Sequence, residues 1–193
     1  MLKFYLKKGE LMEYVYHGSN ISNLKVIKRH RSTHKQNWVY ATKSEAISTI
    51  FLSKKGNDLY YYLGNDKDKV ILVERKKNMF KNIFNTSGSI YKLSGKNFKE
   101  NMTGWSEEVI SSYDENVIDE KYIENVYDEL IKLDKEKKIK LYLYPNRPSN
   151  IPLDNSDLIP KVIKWKQLGF NIDNFFILYP ELNDRFYQEL NKL

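Results

Sequence analysis

The sequence contains no cysteine. Disulfides, zinc sites built on thiolates and cysteine nucleophiles are therefore excluded, and nothing indicates an oxidising compartment. The chain also has no apolar run near the roughly 20 residues that a membrane-spanning helix needs. The first ten residues lack the apolar stretch of a signal peptide. We therefore expect a cytoplasmic protein that does not act at a membrane.

Several common functional motifs are missing as well. There is no glycine-rich phosphate loop, which argues against a P-loop or a Rossmann fingerprint, and there is no serine nucleophile elbow. His30 and His34 have the i, i+4 spacing of a helical zinc site, but their segment has no clear helical pattern and no third ligand is evident. The sequence therefore predicts no metal site.

What the chain does contain is enough material for one folded domain. It has 193 residues, of which 14% are aromatic, including 15 tyrosines, and a chain of this length can bury a core. The formal net charge is +7, and interleaved lysine and acid explain much of it by solubility alone. One denser basic cluster is a candidate for phosphate contact or a basic loop without a partner: Lys25, Lys28, Arg29, His30, Arg31, His34 and Lys35.

Apolar patterning predicts short strands first and helices later. About seven strands are expected, at 14–17, 39–42, 59–63, 70–73, 89–93, 109–111 and 117–118. Turns are expected at 64–66 and 114–116, and a long loop at 20–37. Helices are expected after an N-cap at Ser44 and over 120–138, 157–168 and 181–193. The sequence thus predicts an α+β fold with a helical C-terminal region.

Three of the predicted strands carry polar groups suited to a site. Tyr14–Ser19 runs into a His17-Gly18 turn, the next strand carries Tyr40, and a later strand opens with Glu107 and Glu108. This order resembles the ADP-ribosyltransferases of the diphtheria-toxin and poly(ADP-ribose) polymerase type. The resemblance covers roughly residues 14–111. It implies a split β-sandwich of two small, mostly antiparallel sheets with flanking helices.

The resemblance also implies a donor substrate, NAD, and a role for each residue. His17 would bond a ribose hydroxyl, while Gly18 and Ser19 would hold the nicotinamide carboxamide. Tyr40 would stack on the nicotinamide. Phe51, eleven residues after Tyr40, occupies the place of the family's second stacking aromatic, which is usually a tyrosine. The implied catalytic residues are His17, Tyr40 and Glu108, and the implied NAD-binding residues are His17, Gly18, Ser19, Tyr40 and Phe51.

Glu108 is the expected acid because related sequences place the glutamate three residues before a serine, here Ser111. Glu107 stays open as the alternative, since strand side chains alternate faces and only one of the two can point into a given cleft. Each residue also has a plain structural interpretation: Tyr40 and Phe51 as core aromatics, and the two glutamates as surface acids.

The function expected from this resemblance is transfer of ADP-ribose from NAD to a macromolecular acceptor that the sequence does not identify, protein or nucleic acid. Two alternatives remain: an RNA 2′-phosphotransferase of the same fold, and an inactive module that binds nucleic acid. The proline-rich stretch near residue 146 suggests an ADP-ribosyltransferase-like domain over 1–145 with a helical extension over 146–193.

Overall fold

The structure is a computed structural model that describes residues 12–31, 36–54 and 58–192. Its strands, in chain order, are β1 (Tyr14–Ser19), β2 (Val26–Ile27), β3 (His30–Arg31), β4 (Asn37–Thr42), β5 (Tyr61–Asp66), β6 (Lys69–Glu74), β7 (Gly88–Ser94), β8 (Lys99–Glu100), β9 (Glu108–Ser111), β10 (Glu115–Ile123) and β11 (Lys140–Tyr142). Its α-helices are α1 (Glu45–Ser48), α2 (Met79–Phe84), α3 (Val126–Lys135), α4 (Leu158–Gln167), α5 (Asp173–Leu178) and α6 (Asn183–Leu190).

These elements form two compact units. The first takes its described residues from the ranges 1–52 and 86–129, and the second takes its own from 53–85 and 130–193. The predicted division into 1–145 and 146–193 is a different one, and it stays a prediction.

The first unit is built on a sheet of eight strands. Its order is β2-β10-β7-β1-β4-β9-β8, with β3 paired to β4, and the pairs within it are antiparallel. Alternation places Val15, Val39, Tyr91, Leu93 and Val109 in one buried core, as expected where one face of an antiparallel sheet is covered.

The pairing of β1 with β4 differs from the pairing of each with its other neighbour. β1 pairs with β7 at six positions and β4 pairs with β9 at four. Among the described residues, β1 and β4 are paired at one position, Tyr16 with Thr42. β1 is therefore held mainly by β7, and β4 mainly by β9. On the side of the Tyr16–Thr42 pair that leads to Tyr40, the described residues of β1 and β4 are no longer paired.

The second unit contains a three-stranded sheet of order β11-β6-β5 together with helices. β5 and β6 form an antiparallel hairpin, whereas β11 runs parallel to β6. β6 reads Lys-Val-Ile-Leu-Val-Glu and is buried along nearly its whole length, which explains its continuous apolar run. In the same unit the aromatic ring of Phe175 contacts the rings of Tyr179 and Phe186.

The α+β class is confirmed: the protein has two mostly antiparallel sheets and several helices. The helix expected over 120–138 is wrong at its start, because Glu120–Ile123 belong to β10 and pair with β7. The turn expected at 64–66 is also wrong, since these residues pair with 69–71 in the β5–β6 hairpin. The hairpin turns at Lys67, which takes a positive φ of 54°.

The helix expected after Ser44 forms, but it is short. α1 has one turn and continues as a 3₁₀ helix, Thr49–Leu52. Ser44 occupies the N-cap position without making the side-chain capping bond that the sequence suggests. Part of the segment expected to be a loop over 20–37 forms the short strands β2 and β3. Within the described ranges, no helix combines the length and apolar character needed to cross a membrane.

Candidate functional site

The residues of the predicted site lie on three adjacent strands of the first unit. His17 is on β1, Tyr40 is on β4 and Glu108 begins β9, and these strands are consecutive in the sheet order. In the sequence they are scattered over roughly 90 residues, and strand pairing brings the three strands side by side. The register puts Tyr40 and Glu108 on one face, together with Thr42 and its partner Tyr16. His17 follows Tyr16 and pairs with Tyr91 of the buried core, so its side chain leaves β1 on the opposite face. All three are partly buried, which leaves each accessible to a ligand.

His17 connects the two strands that part from each other. Its Nδ1 lies 2.7 Å from the carbonyl oxygen of Tyr40. A carbonyl oxygen only accepts hydrogen bonds, so Nδ1 must carry the proton and donate it. In the neutral ring Nε2 is then an acceptor, and the bond to Tyr40 fixes which nitrogen plays which part.

The surroundings of His17 favour the neutral ring. Burial lowers the pKa of His17 below its ordinary value, and the positive charge that His30 can carry lowers it further, while the bond to the Tyr40 carbonyl works in the opposite direction. At neutral pH the ring is therefore uncharged, with an acceptor nitrogen available to a hydroxyl donor.

Tyr40 lies in a small group of rings. Its ring centroid is 5.7 Å from that of His30 and 6.1 Å from that of Trp38. Trp38 and Tyr40 are two residues apart on β4, so their side chains emerge on the same face. His30 is brought to this face because it pairs with Trp38 in the β3–β4 ladder. The His30 and Trp38 rings are inclined to the Tyr40 ring by 49° and 60°, so the three form a tilted aromatic cluster in which a single ring can stack on a planar ligand.

Glu108 occupies the same face as Tyr40. It pairs directly with Thr42, two residues after Tyr40 on β4, and directly opposed residues of an antiparallel pair project to one side. Glu107 precedes the strand and lies near the hydroxyl of Ser106, with 3.5 Å between the oxygens. The register therefore favours Glu108 over Glu107 as the carboxylate beside Tyr40, although its catalytic role stays a prediction.

Gly18 lies where α1 and its 3₁₀ continuation cross β1. A Cβ at this position would be 2.4 Å from the backbone oxygen of Ser48 and 3.4 Å from the Cβ of Phe51. Contacts below 3.0 Å are essentially never formed by real Cβ atoms, so this approach requires glycine. Ser19 follows, and its hydroxyl oxygen accepts a hydrogen bond from the backbone N–H of Ile21 at 3.1 Å.

Phe51 is brought next to Gly18 by this close approach, and its side chain is 39% exposed. Phe51 is thus not a plain core residue. Its ring lies 6.1 Å from that of Trp105 at 58°, so these two rings form a second aromatic pair in the same unit. Trp105 also accepts, through its carbonyl, a hydrogen bond from the backbone N–H of Glu108 at 3.2 Å.

Sequence reasoning missed Trp105, Trp38 and the stacking position of His30. Trp105 stands three residues before Glu108, and Trp38 stands two residues before Tyr40. A tryptophan so near each predicted site residue was an available signal. His30 was considered as a metal ligand and as a member of the basic cluster, and its suggested metal partner His34 lies outside the described residues. No group of three metal-binding side chains occurs in the described part of the chain.

The basic cluster at residues 25–35 does not form one free cationic surface in its described part. Arg29 donates to Asp114 from its side-chain Nε at 3.0 Å and from its backbone N–H at 2.9 Å. These bonds lower the pKa of Asp114, and the backbone bond contributes most. His30 contacts the Tyr40 ring. Lys35 lies outside the described residues.

Comparisons of the chain with models of protein families, with curated proteins and with solved structures found no significant match. The site must therefore be interpreted from its own geometry. That geometry gives a neutral histidine with an acceptor nitrogen, a carboxylate on a neighbouring strand and two groups of exposed or half-buried rings.

Proposed function

We propose that this protein is an NAD-dependent ADP-ribosyltransferase that releases nicotinamide and transfers ADP-ribose to a macromolecular acceptor. The observation that carries the proposal is the position of His17, Tyr40 and Glu108 on three consecutive strands, β1, β4 and β9. The resemblance implies a split β-sandwich of two small sheets, and the single position at which the described residues of β1 and β4 pair supports a split at this point. Each residue also has the chemical character that its role requires.

The side chains fit the parts of NAD by type. The Nε2 atom of His17 is a hydrogen-bond acceptor, which suits a ribose hydroxyl. Tyr40 and Phe51 offer rings for a planar base, and such contacts add about 0.5–1.5 kcal/mol beyond area burial. The space beside Gly18 is filled by the Ser48 carbonyl and the Phe51 side chain, so the proposed carboxamide contact is made by the backbone groups of Gly18. The set has no metal ligand cluster within the described residues, and the proposed reaction requires none.

In the reaction, NAD supplies an activated ribose whose bond to nicotinamide breaks with the electron pair leaving on nicotinamide. Positive charge develops on the ribose as this happens. A carboxylate fixed beside it stabilises that charge, and fixed electrostatics of this kind is commonly the largest catalytic contribution. We assign this role to Glu108, which can also accept the proton that the attacking nucleophile loses.

The RNA 2′-phosphotransferase alternative is a poorer fit. It needs arginines that grip a phosphate, and the chain has five. Arg75 has a side chain with no exposed surface and is paired with Asp157. Arg29 is paired with Asp114, and Arg185 with Asp154. Arg147 donates to backbone carbonyls of Glu74, Arg75 and Pro152. Arg75 and Arg147 are thus committed to the fold, while Arg29 and Arg185 are held only in exposed ion pairs, so the chain offers few arginines for a fixed grip on an RNA phosphate.

The test is NAD glycohydrolysis together with NAD binding. NAD should raise the melting temperature of the wild-type protein, because a ligand that binds only the native state stabilises it. Glu108→Gln keeps the size of the side chain and removes its charge, so turnover should fall about 100- to 1,000-fold with NAD affinity nearly unchanged. Absence of any stabilisation by millimolar NAD or nicotinamide would overturn the proposal.

The matched control is Glu107→Gln, which makes the same chemical change one residue earlier. Glu107 is also partly buried, but it precedes β9, so its variant should retain wild-type turnover. If Glu107→Gln loses activity and Glu108→Gln keeps it, the carboxylate has been assigned wrongly.

A further inference from the structure

The second unit contains a pocket that is separate in sequence from the site above. Its volume is about 640 Å³, within the roughly 300–1,000 Å³ of typical small-molecule sites. Four of its lining residues are basic and two are acidic: Arg75, Lys76, Lys77 and Arg185 against Asp154 and Glu181. An excess of positive charge in a concave site favours an anionic ligand.

One basic residue of the pocket is a fixed part of the fold. Arg75 has no exposed side-chain surface, and its guanidinium forms a bidentate pair with Asp157 at 3.0 and 2.9 Å. Its Nη1 also donates to the Oδ1 atom of Asn155 at 3.3 Å. Arg75 therefore cannot move to a ligand. Its bond to Asn155 instead fixes one wall of the pocket, formed by Arg75 and Asn155.

A second guanidinium lies behind this wall. Arg147 donates to the same Asn155 oxygen at 3.2 Å, and no carboxylate of the described residues forms an ion pair with it. Burial lowers the pKa of Arg147, and the nearby charge of Arg75 lowers it further. Two arginines thus share one amide oxygen, and Asp157 pairs with Arg75 alone, so the positive charge near this wall that has no ion-pair partner is that of Arg147.

The cations nearer to solvent are only weakly committed. Arg185 pairs with Asp154 at 2.8 Å, but the two side chains are 53% and 56% exposed. Exposed ion pairs contribute little to stability, so Arg185 can exchange Asp154 for an anionic ligand at small cost. Lys77 is exposed and has no ionic partner among the described residues. These two side chains are the mobile cations of the pocket.

The remaining lining is apolar or aromatic. Tyr144, Leu153 and Leu182 line the same pocket as the cations, and the first two are exposed to solvent. A ring that is exposed within a pocket is suited to stack on a planar group. The pocket therefore combines an aromatic and aliphatic surface with cations that are free to reorient.

From this combination we propose that the second unit binds a small phosphomonoester that carries a planar group, of the type of a nucleoside monophosphate. Lys77 and Arg185 contact the phosphate, Tyr144 stacks on the planar group, and the half-buried Arg147, fixed by its bonds to backbone carbonyls, adds positive charge near the wall. This pocket shares no lining residue with the proposed NAD site, since its lining residues all belong to the second unit.

The experiment measures binding of adenosine 5′-monophosphate, inorganic phosphate and adenosine to the full chain by calorimetry at low ionic strength. The monophosphate should bind more tightly than phosphate, and adenosine more weakly than either. Lys77→Ala/Arg185→Gln should weaken monophosphate binding at least roughly tenfold, as expected for lost hydrogen bonds to charged groups. Both side chains are exposed, so the variant should stay folded, which its melting curve checks.

Two controls locate the site. Lys28→Ala removes an exposed cation of the first unit and should leave binding unchanged. His17→Ala tests the proposed NAD site, which could itself accept a monophosphate. The proposal is overturned if the monophosphate does not bind, if binding survives Lys77→Ala/Arg185→Gln, or if it is lost in His17→Ala instead. Retained monophosphate binding in His17→Ala, together with a wild-type protein that neither NAD nor nicotinamide stabilises, would leave this pocket standing and overturn the proposed enzyme.

Discussion

The ion pair of Arg75 and Asp157 gives the sharpest stability prediction. The guanidinium has no exposed surface, while the carboxylate is 22% exposed. Besides its two bonds to Asp157, Arg75 donates from Nε to the carbonyl oxygen of Asp58 at 2.5 Å. Asp157→Asn keeps the shape and removes the negative charge, so a buried cation loses its counter-charge.

Removing one partner of a buried ion pair costs about 3–5 kcal/mol. The bonds from Arg75 to Asp58 and Asn155 survive in Asp157→Asn, and the carboxylate site is partly open to water, so we expect the lower end, about 3 kcal/mol. With a urea dependence of about 2 kcal/mol/M, the unfolding midpoint should fall by about 1.5 M. Circular dichroism of the α-helices reports the transition, since the fluorescence of Trp165, on α4 of the same unit, is overlaid by that of Trp38 and Trp105.

Replacing both members tests the physical cause. Arg75→Met/Asp157→Leu removes both charges and substitutes apolar side chains, which is often near neutral for a buried pair. The double variant should therefore be more stable than Asp157→Asn. The exposed pair supplies the control, because Arg185→Gln should change the free energy of unfolding by no more than about 1 kcal/mol. Equal midpoints for Asp157→Asn and Arg185→Gln would refute the assignment of Arg75 as a buried, charge-dependent anchor.

Two further predictions concern the first unit. Burial lowers the pKa of His17 below the ordinary 6.5. Between the two pKa values the unfolded chain therefore binds a proton that the native state does not. The free energy of unfolding should rise with pH up to about 6.5, and this contribution should be lost as pH falls through the native pKa. His17→Gln should flatten that slope, and an unchanged slope would contradict the pKa direction. Gly18→Ala would place a Cβ 2.4 Å from the Ser48 carbonyl oxygen. We expect the free energy of unfolding to fall by about 1–3 kcal/mol from overpacking. Urea unfolding measures this against the control Ser19→Ala, and equal stability of the two variants would contradict it.

Strands were predictable from the sequence where the local apolar pattern agrees with the strand pairing seen in the structure. β6 has four consecutive apolar residues and was expected at 70–73; the structure places it at Lys69–Glu74. The pattern failed where long-range pairing overrides local preference. Gly64-Asn65-Asp66 has turn composition, yet its pairing with β6 keeps it extended and moves the turn to Lys67. Likewise, Glu120–Ile123 continue a helical spacing into α3, but β7 recruits them as a strand.

The helices were harder to predict where they are short. α2 was missed, and it has six residues, of which Met79, Phe80, Ile83 and Phe84 are buried. An isolated helix of this length is not stable on propensity alone, so it depends on packing of that apolar face. Phe80 and Phe84 provide it, with rings 6.4 and 5.6 Å from that of Tyr61. Such contacts join residues far apart in the sequence and leave little local trace.

For the candidate site, the sequence identifies residue types but not neighbours. His17, Tyr40 and Glu108 were each expected on a strand, and each lies on one. Their adjacency depends on β4 lying between β1 and β9, which no local pattern encodes. Of the aromatic partners that were missed, Trp38 stands two residues before Tyr40 and could have been found from strand alternation, whereas the contact of Trp105 with Phe51 arises only on folding.

The partial pairing of β1 with β4 also determines the chemistry of the site. Where an antiparallel ladder ends, a backbone carbonyl loses its strand partner, and a buried carbonyl without a donor is costly. The Tyr40 carbonyl obtains its donor from the side chain of His17. That bond fixes the proton on Nδ1, burial keeps the ring neutral, and Nε2 becomes the acceptor. The same separation of strands that leaves a carbonyl to be satisfied thus selects the tautomer that the proposed ribose contact requires.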